Sequence, residues 1–296
     1  MVTRALYPFE SRYLDLDGLR YHYLDEGSGD PIVALHGNPT WSFYYRSLIV
    51  RLRGSFRVIA PDHMGCGLSD KPQDDRYDYS LKRRARDLEV LLDDLGVDRN
   101  ITLVLHDWGG MIGMAYASSC PARIARIVLL NTAAFHLPKT KPFPWALRLS
   151  RSGLLGAPLI RGLNLFCRAA LRTCVKRKQL SPEERSAYLE PYSSWRDRVA
   201  VLRFVQDIPL RPGDRGYDLI SEVAAGLSRF RDVPMLICWG LKDFVFDHHF
   251  LAEWVERFPE AEVHTFEEAG HYILEDATDE VLTHLESFLA RHPVQS

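Results

Sequence analysis

Cysteine is sparse and unpaired in this sequence: Cys66, Cys120, Cys167, Cys174 and Cys238 are five in 296 residues, with no Cys-x-x-Cys among them. An odd number so scattered supports neither a disulfide framework nor a thiolate zinc site, and it points to a reducing compartment. Long apolar runs are missing too. No stretch approaches the roughly 20 residues of a membrane span. The opening MVTRALYPFESRYLDLDG lacks a basic region followed by an apolar one. A cytoplasmic location without stable membrane insertion is therefore expected. Neither sign of charge dominates: 37 Lys and Arg against 39 Asp and Glu give a net charge of −2, which lacks the electrostatic footprint of a nucleic-acid binder. There are no internal repeats and no low-complexity segments. What is present, 46% hydrophobic and 26% charged residues, is the composition of a globular chain long enough for a sizeable core.

Residues 11–25 alternate around Asp17-Gly18, a hairpin signal. Ile32–Leu35 and Phe56–Ala60 are short apolar runs, the pattern of strands buried on both faces of a parallel sheet. Trp41–Leu52 reads as helical, and Leu81–Leu95 as an amphipathic helix with Leu88, Leu91, Leu92 and Leu95 on one stripe. Ile101–Leu105 and Ile127–Leu130 continue the strands. From 135 to 218 the alternation stops, and prolines and glycines break up short helical pieces rich in arginine (Arg148, Arg151, Arg161, Arg168, Arg172). This segment reads as an inserted helical cap whose basic face is either solvated or turned to a partner or a membrane. Strand Val233–Trp239, helix Phe250–Phe258, strand Ala261–Phe266 and helix Val281–Arg291 then resume the pattern. The expected class is α/β, a mostly parallel sheet flanked by helices, with a core of residues 1–134 and 219–296 and a cap of 135–218.

Ligands in such sheets gather at the carboxyl ends of the strands. Asn38 follows the strand at 32–35, Asp107 and Trp108 follow 101–105, Asp243 follows 233–239, and His271 follows 261–266. Gly109 and Gly110 leave room for a strand to turn sharply into a helix, with Asp107 where a hydrolase carries its nucleophile. The order nucleophile, acid, histidine is a triad order. A carboxylate needs no base to attack, so Asp107 suits displacement at an alkyl carbon and would form an alkyl ester, where serine would form an unreactive ether. His271 would activate water against that ester, and Asp243 would fix its tautomer, with Asp247 as a rival for that place. The side-chain N–H groups of Asn38 and Trp108 are candidate donors to a departing anion, and the backbone N–H groups at these positions are candidates for an oxyanion hole. His36, His63 and His106 are expected to be structural. His248-His249 is expected to be a solvated pair, since helix neighbours do not face each other. Gly65 and Gly67 read as a turn rather than a dinucleotide site. No metal or cofactor is required.

Over essentially its whole length the sequence resembles the α/β-hydrolase fold. Within it, HGNPTW (36–41), HDWGG (106–110), GLKD (240–243) and AGH (269–271) resemble the haloalkane dehalogenases. LNTAAF (130–135), RFVQDIPL (203–210), DFVFD (243–247) and GHYILEDA (270–277) most resemble the third dehalogenase subfamily. Asn131 stands where some relatives carry a glutamate. That subfamily also contains the β-lactone decarboxylases of bacterial olefin biosynthesis, and its members tend to self-associate, so the resemblance implies a possible homo-oligomer. The first expectation is hydrolytic dehalogenation of haloalkanes through an aspartyl-alkyl ester; the alternative is decarboxylation of a β-lactone to an alkene. Either substrate is small and apolar. An epoxide hydrolase would need cap acids, for which Tyr188 and Tyr192 are candidates, but Asn38 and Leu105 depart from that family's pattern. A non-catalytic binder is the remaining reading, and it is disfavoured because all three triad positions are kept.

Overall fold

A computed structural model describes residues 5–294; the first four residues of the opening segment lie outside it, as do 295 and 296. Asp17 and Gly18 both take positive φ (56° and 78°), the conformation of a two-residue hairpin turn, and join β1 (Arg12–Leu16) to β2 (Leu19–Gly27). The apolar runs become β3 (Pro31–Leu35), β4 (Arg57–Pro61), β5 (Ile101–Asp107), β6 (Ile124–Thr132), β7 (Met235–Gly240) and β8 (Glu262–Phe266). One eight-stranded sheet results, in the order β1-β2-β4-β3-β5-β6-β7-β8; β1–β2 and β2–β4 are antiparallel and the rest parallel. β5 lies in the interior of the sheet and every one of its residues is buried.

Helices cover both faces. In one layer Leu103 and Leu105 of β5 meet α2 (Leu81–Asp94), α3 (Trp108–Ser119), α8 (Tyr217–Gly226) and α9 (His248–Arg257); in the other, Val104 meets α1 (Arg46–Leu52), α10 (Ile273–Asp276) and α11 (Thr278–Arg291). Each fully buried leucine of the α2 stripe (Leu88, Leu91, Leu92) contributes roughly 1.5–3 kcal/mol by leaving water. Leu95 stands at the C-cap and is half-buried. β6 is longer than its apolar run because two polar residues within it are buried and paired. Arg126 Nε donates to Thr102 Oγ1 at 2.9 Å, and Asn131 donates to the carbonyl of Gly240 at 3.0 Å.

Between β6 and β7 the described residues form no strand. Helices α4 (Trp145–Arg151), α5 (Leu165–Thr173), α6 (Pro182–Leu189) and α7 (Val199–Gln206) surround a small core of their own, made of Ile160, Cys167, Tyr192, Val201, Leu202 and Val205. α8 packs its Ile220 and Val223 into the same cluster as Ile112 of α3, so a boundary at 218 falls inside a helix that belongs with the sheet. The two ends of the insertion meet where His136 stacks on Tyr217, with ring centroids 4.0 Å apart.

Candidate active site

The chain leaves β5 through Asp107, whose φ of 52° and ψ of −126° put a non-glycine residue in a left-handed, strained conformation. Its side chain makes no capping bond to α3, so it does not serve as an ordinary N-cap. The strain is held from several sides. The Thr132 hydroxyl donates to the Asp107 carbonyl, and a Cβ at Gly109 would run into the Leu35 carbonyl, one at Gly110 into Thr132, and one at Gly37 into Asp107 itself. The small residues at 109 and 110 therefore let α3 pass, as the sequence indicates.

Strand-end geometry brings three ionisable groups together. His271 Nδ1 lies 2.7 Å from Asp243 Oδ2, and its Nε2 lies 3.4 Å from Asp107 Oδ2. The other oxygen of Asp107 accepts the backbone N–H of Asn38 at 2.6 Å. Burial alone would lower the pKa of His271, but the Asp243 and Asp107 carboxylates outweigh it and push it up to about 10. For Asp107 burial works upward, and the hydrogen bond and charge of His271 bring it below its usual value. An aspartate and an imidazolium are thus the resting pair near neutral pH.

Asp247 does not compete with Asp243. It caps α9 by accepting the His249 N–H and pairs with Lys141 at 2.7 Å. His248 and His249 lie with ring centroids 4.0 Å apart, contrary to the expectation from helical spacing. Asp247, His248 and His249 form one cluster with ligand atoms within 4.8 Å of each other, and Glu262, His264 and His284 form another; neither includes Asp107 or His271. Asn131 is the residue whose part the sequence left open. Its Nδ2 donates to Asp243 Oδ2 at 3.1 Å while its Oδ1 accepts the Gly240 N–H at 2.8 Å, fixing the acid and the end of β7 together. Its signals were its place directly after an apolar run and the glutamate that some relatives carry there.

The triad opens into a cavity of about 590 Å³ walled mainly by apolar side chains, among them Trp108, Met111, Phe135, Leu147, Phe166 and Phe246. Trp41, Trp239 and Trp254 donate their indole N–H to carbonyls. The indole N–H of Trp108 has no protein partner among the described residues, and Trp108 lines the cavity. Asn38 lines the cavity as well; its carboxamide donates one N–H to the Val201 carbonyl of α7 at 3.1 Å, which ties the loop to the insertion and leaves the second N–H, and its backbone N–H is the one that meets Asp107. The expected structural histidines are buried and paired. His36 Nε2 accepts the His63 N–H at 3.0 Å, His63 Nε2 lies 2.9 Å from the His36 carbonyl, and His106 Nε2 lies 2.8 Å from the His271 carbonyl. Burial pushes His106 down to about 3, which keeps it neutral beside the triad. Tyr188 donates to Glu275 and Tyr192 to the Thr40 carbonyl, and neither lines the cavity, so the structure does not bring the two epoxide-opening candidates to Asp107.

Comparison with known proteins agrees with this fold. Residues 30–278 match the family model described as the alpha/beta hydrolase fold. The chain is 58% identical over 285 residues to a cis-3-alkyl-4-alkyloxetan-2-one decarboxylase of Shewanella oneidensis, covering 96% of this chain and 90% of that protein. It is 44% identical over 301 residues to one of the same name from Xanthomonas campestris pv. campestris, covering 99% and 100%. Among solved structures, haloalkane dehalogenase DatA from Agrobacterium tumefaciens superposes with a TM-score of 0.84 at 26% identity, covering 95% of this chain and 96% of that one. The elbow, the acid after β7 and the histidine after β8 on a mostly parallel sheet, together with these matches, make the chain a member of the alpha/beta hydrolase fold family.

Proposed function

We propose that this protein decarboxylates cis-3,4-dialkyl oxetan-2-ones, four-membered β-lactones, to alkenes and carbon dioxide, with Asp107 as nucleophile. The observation that carries the reading is the 58% identity, over 96% of the chain, to a protein named for that reaction. Dehalogenation, the first expectation from the sequence, has weaker support: 35% identity over 280 residues to a mycobacterial haloalkane dehalogenase and the likeness to DatA.

The steps balance without water or cofactor. An oxygen of Asp107 attacks the ring carbon that bears the ring oxygen; that C–O bond breaks, leaving an alkyl ester of Asp107 and a free carboxylate on the neighbouring carbon. The bond to this carboxylate then breaks, its electron pair becomes the second bond of the alkene, and Asp107 departs with the ester C–O pair. Inversion at the attacked carbon followed by anti elimination keeps the alkyl groups cis. The unpartnered N–H of Trp108 and the second carboxamide N–H of Asn38 are donors available to the carboxylate released on ring opening. An imidazolium at His271, held by Asp243, favours the departure of Asp107 as a carboxylate.

The test is to incubate the purified protein with a cis-3,4-dialkyl β-lactone and with a 1-bromoalkane, in water enriched in ¹⁸O. The expected result is cis-alkene from the lactone, no bromide, and no label in the Asp107 peptide. Bromide release with label entering Asp107, and no alkene, would return the assignment to dehalogenation.

A further inference from the structure

The insertion between β6 and β7 carries a pattern that catalysis does not use. From Phe135 to Ser181 there are ten lysines and arginines and not one aspartate or glutamate, in a protein of net charge −2. Lys141, Arg151, Arg177 and Lys178 are paired with acids outside that stretch. Arg148, Arg168, Arg172 and Lys176 are exposed and have no ion-pair partner among the described residues. The same stretch exposes Leu154 at 89%, Trp145 at 78% and Leu163 at 60%, whereas outside the insertion no large apolar residue among those described exceeds the 53% of Val50. Trp145, Leu149 and Leu165 are both exposed and part of the wall of the cavity above Asp107, so the apolar surface runs from solvent into the site.

We infer that this face of the insertion docks on the surface of an anionic lipid bilayer. Leucine and tryptophan side chains standing free beside unpaired guanidinium groups are the composition of an interfacial element. The apolar groups enter the boundary between headgroups and acyl chains, and the cations meet anionic headgroups. A second copy of this chain fits poorly, because a two-fold contact across the patch would set arginines against arginines. The cavity opens among the same side chains, so an alkyl substrate held in the bilayer reaches Asp107 without crossing water. The docking itself does not depend on the lactone reading.

The full-length protein is mixed with vesicles of phosphatidylglycerol and phosphatidylcholine, or of phosphatidylcholine alone, and sedimented. Binding to the anionic vesicles that weakens with salt is expected, with the protein staying in the supernatant of the neutral ones. Replacing Arg148, Arg168 and Arg172 together by Gln lowers anionic binding at least about tenfold. Leu154→Ser with Leu163→Ser lowers it at every salt concentration. None of these five residues lines the cavity, and circular dichroism melting verifies that each variant folds. Independently of those variants, brominated phosphatidylglycerol quenches part of the tryptophan emission, and Trp145→Phe removes that part. The proposal is overturned if the wild type stays in the supernatant with anionic vesicles at low salt. It is equally overturned if binding or quenching survives the substitutions, or if Leu154→Ser with Leu163→Ser changes the sedimentation coefficient of the free protein, which would mean that a second copy covers the patch.

Discussion

At the strand ends Asp107, Asp243 and His271 are 7%, 3% and 3% exposed and all are paired, whereas the insertion above them leaves Arg148, Arg168, Arg172 and Lys176 without ion-pair partners among the described residues and Leu154 almost wholly in water. Burial explains the first pattern: a charge taken out of water must be met by an opposite charge and by hydrogen bonds, so the site is over-determined. Nothing of that kind constrains the outer face of α4 and α5. Its side chains are free to be selected for what they meet from outside. Substitutions should therefore act through chemistry and packing at the strand ends, and through surface association in the insertion.

The largest separation is expected from Asp107→Ala, which removes the proposed nucleophile and lowers lactone turnover at least about 10³-fold. Arg148→Gln, measured with the same short-chain soluble lactone, leaves turnover within about twofold; equal losses would erase the distinction between the regions. Glycine substitutions come next. Gly109→Ala places a Cβ against the Leu35 carbonyl and should cost about 1–3 kcal/mol in urea unfolding, while Gly153→Ala, with open space around it, should change stability by no more than about 0.5 kcal/mol. A third contrast concerns Asn131→Ala, which leaves the Gly240 N–H and Asp243 with fewer partners. A loss of about 1–3 kcal/mol is expected, with a fall in kcat larger than any change in KM. Asn131→Asp, which places a like charge beside Asp243, should be worse than Asn131→Ala.

A last contrast is a pH dependence of stability. His271 is raised, so its contribution is full below its unfolded pKa of about 6.5 and is lost as pH rises through about 10. Asp107 is lowered, so its contribution is present above about 3.9 and is lost as pH falls through its depressed value. The melting temperature of the wild type relative to His271→Gln should be greatest between about pH 4 and 6.5 and should shrink from there to pH 10. Arg168→Gln should show no such dependence, and a constant difference for His271→Gln would mean that the imidazolium–carboxylate pair is not formed in the folded protein.

Much of the sheet was legible because its cause is local. The runs at 32–35 and 101–105 are apolar on both faces whatever surrounds them, and Asp17-Gly18 makes its turn from its own backbone preferences. β6 was read short because its polar residues are satisfied by partners far along the chain, Arg126 by the His292 carbonyl and Asn131 by Gly240. At the site the three triad positions, Asp243 among them, could be read from their places after strands, but the reason that its rival Asp247 is excluded could not. It depends on α9 beginning at His248 with Asp247 as its cap.

The sequence by itself determined the reaction-bearing order: an acid in a turn too tight for side chains, then an acid, then a histidine, each after a strand. Those features depend on neighbours a few residues apart, which composition and spacing report. Tertiary structure alone decided that Asn38 gives one carboxamide N–H to Val201, 163 residues away, that Tyr188 turns to Glu275 rather than to the cavity, and that the arginines and leucines after Phe135 share one exposed stretch bordering the cavity. Contacts between segments so distant in the chain are fixed by packing, and no local pattern records which partner each buried polar group finds.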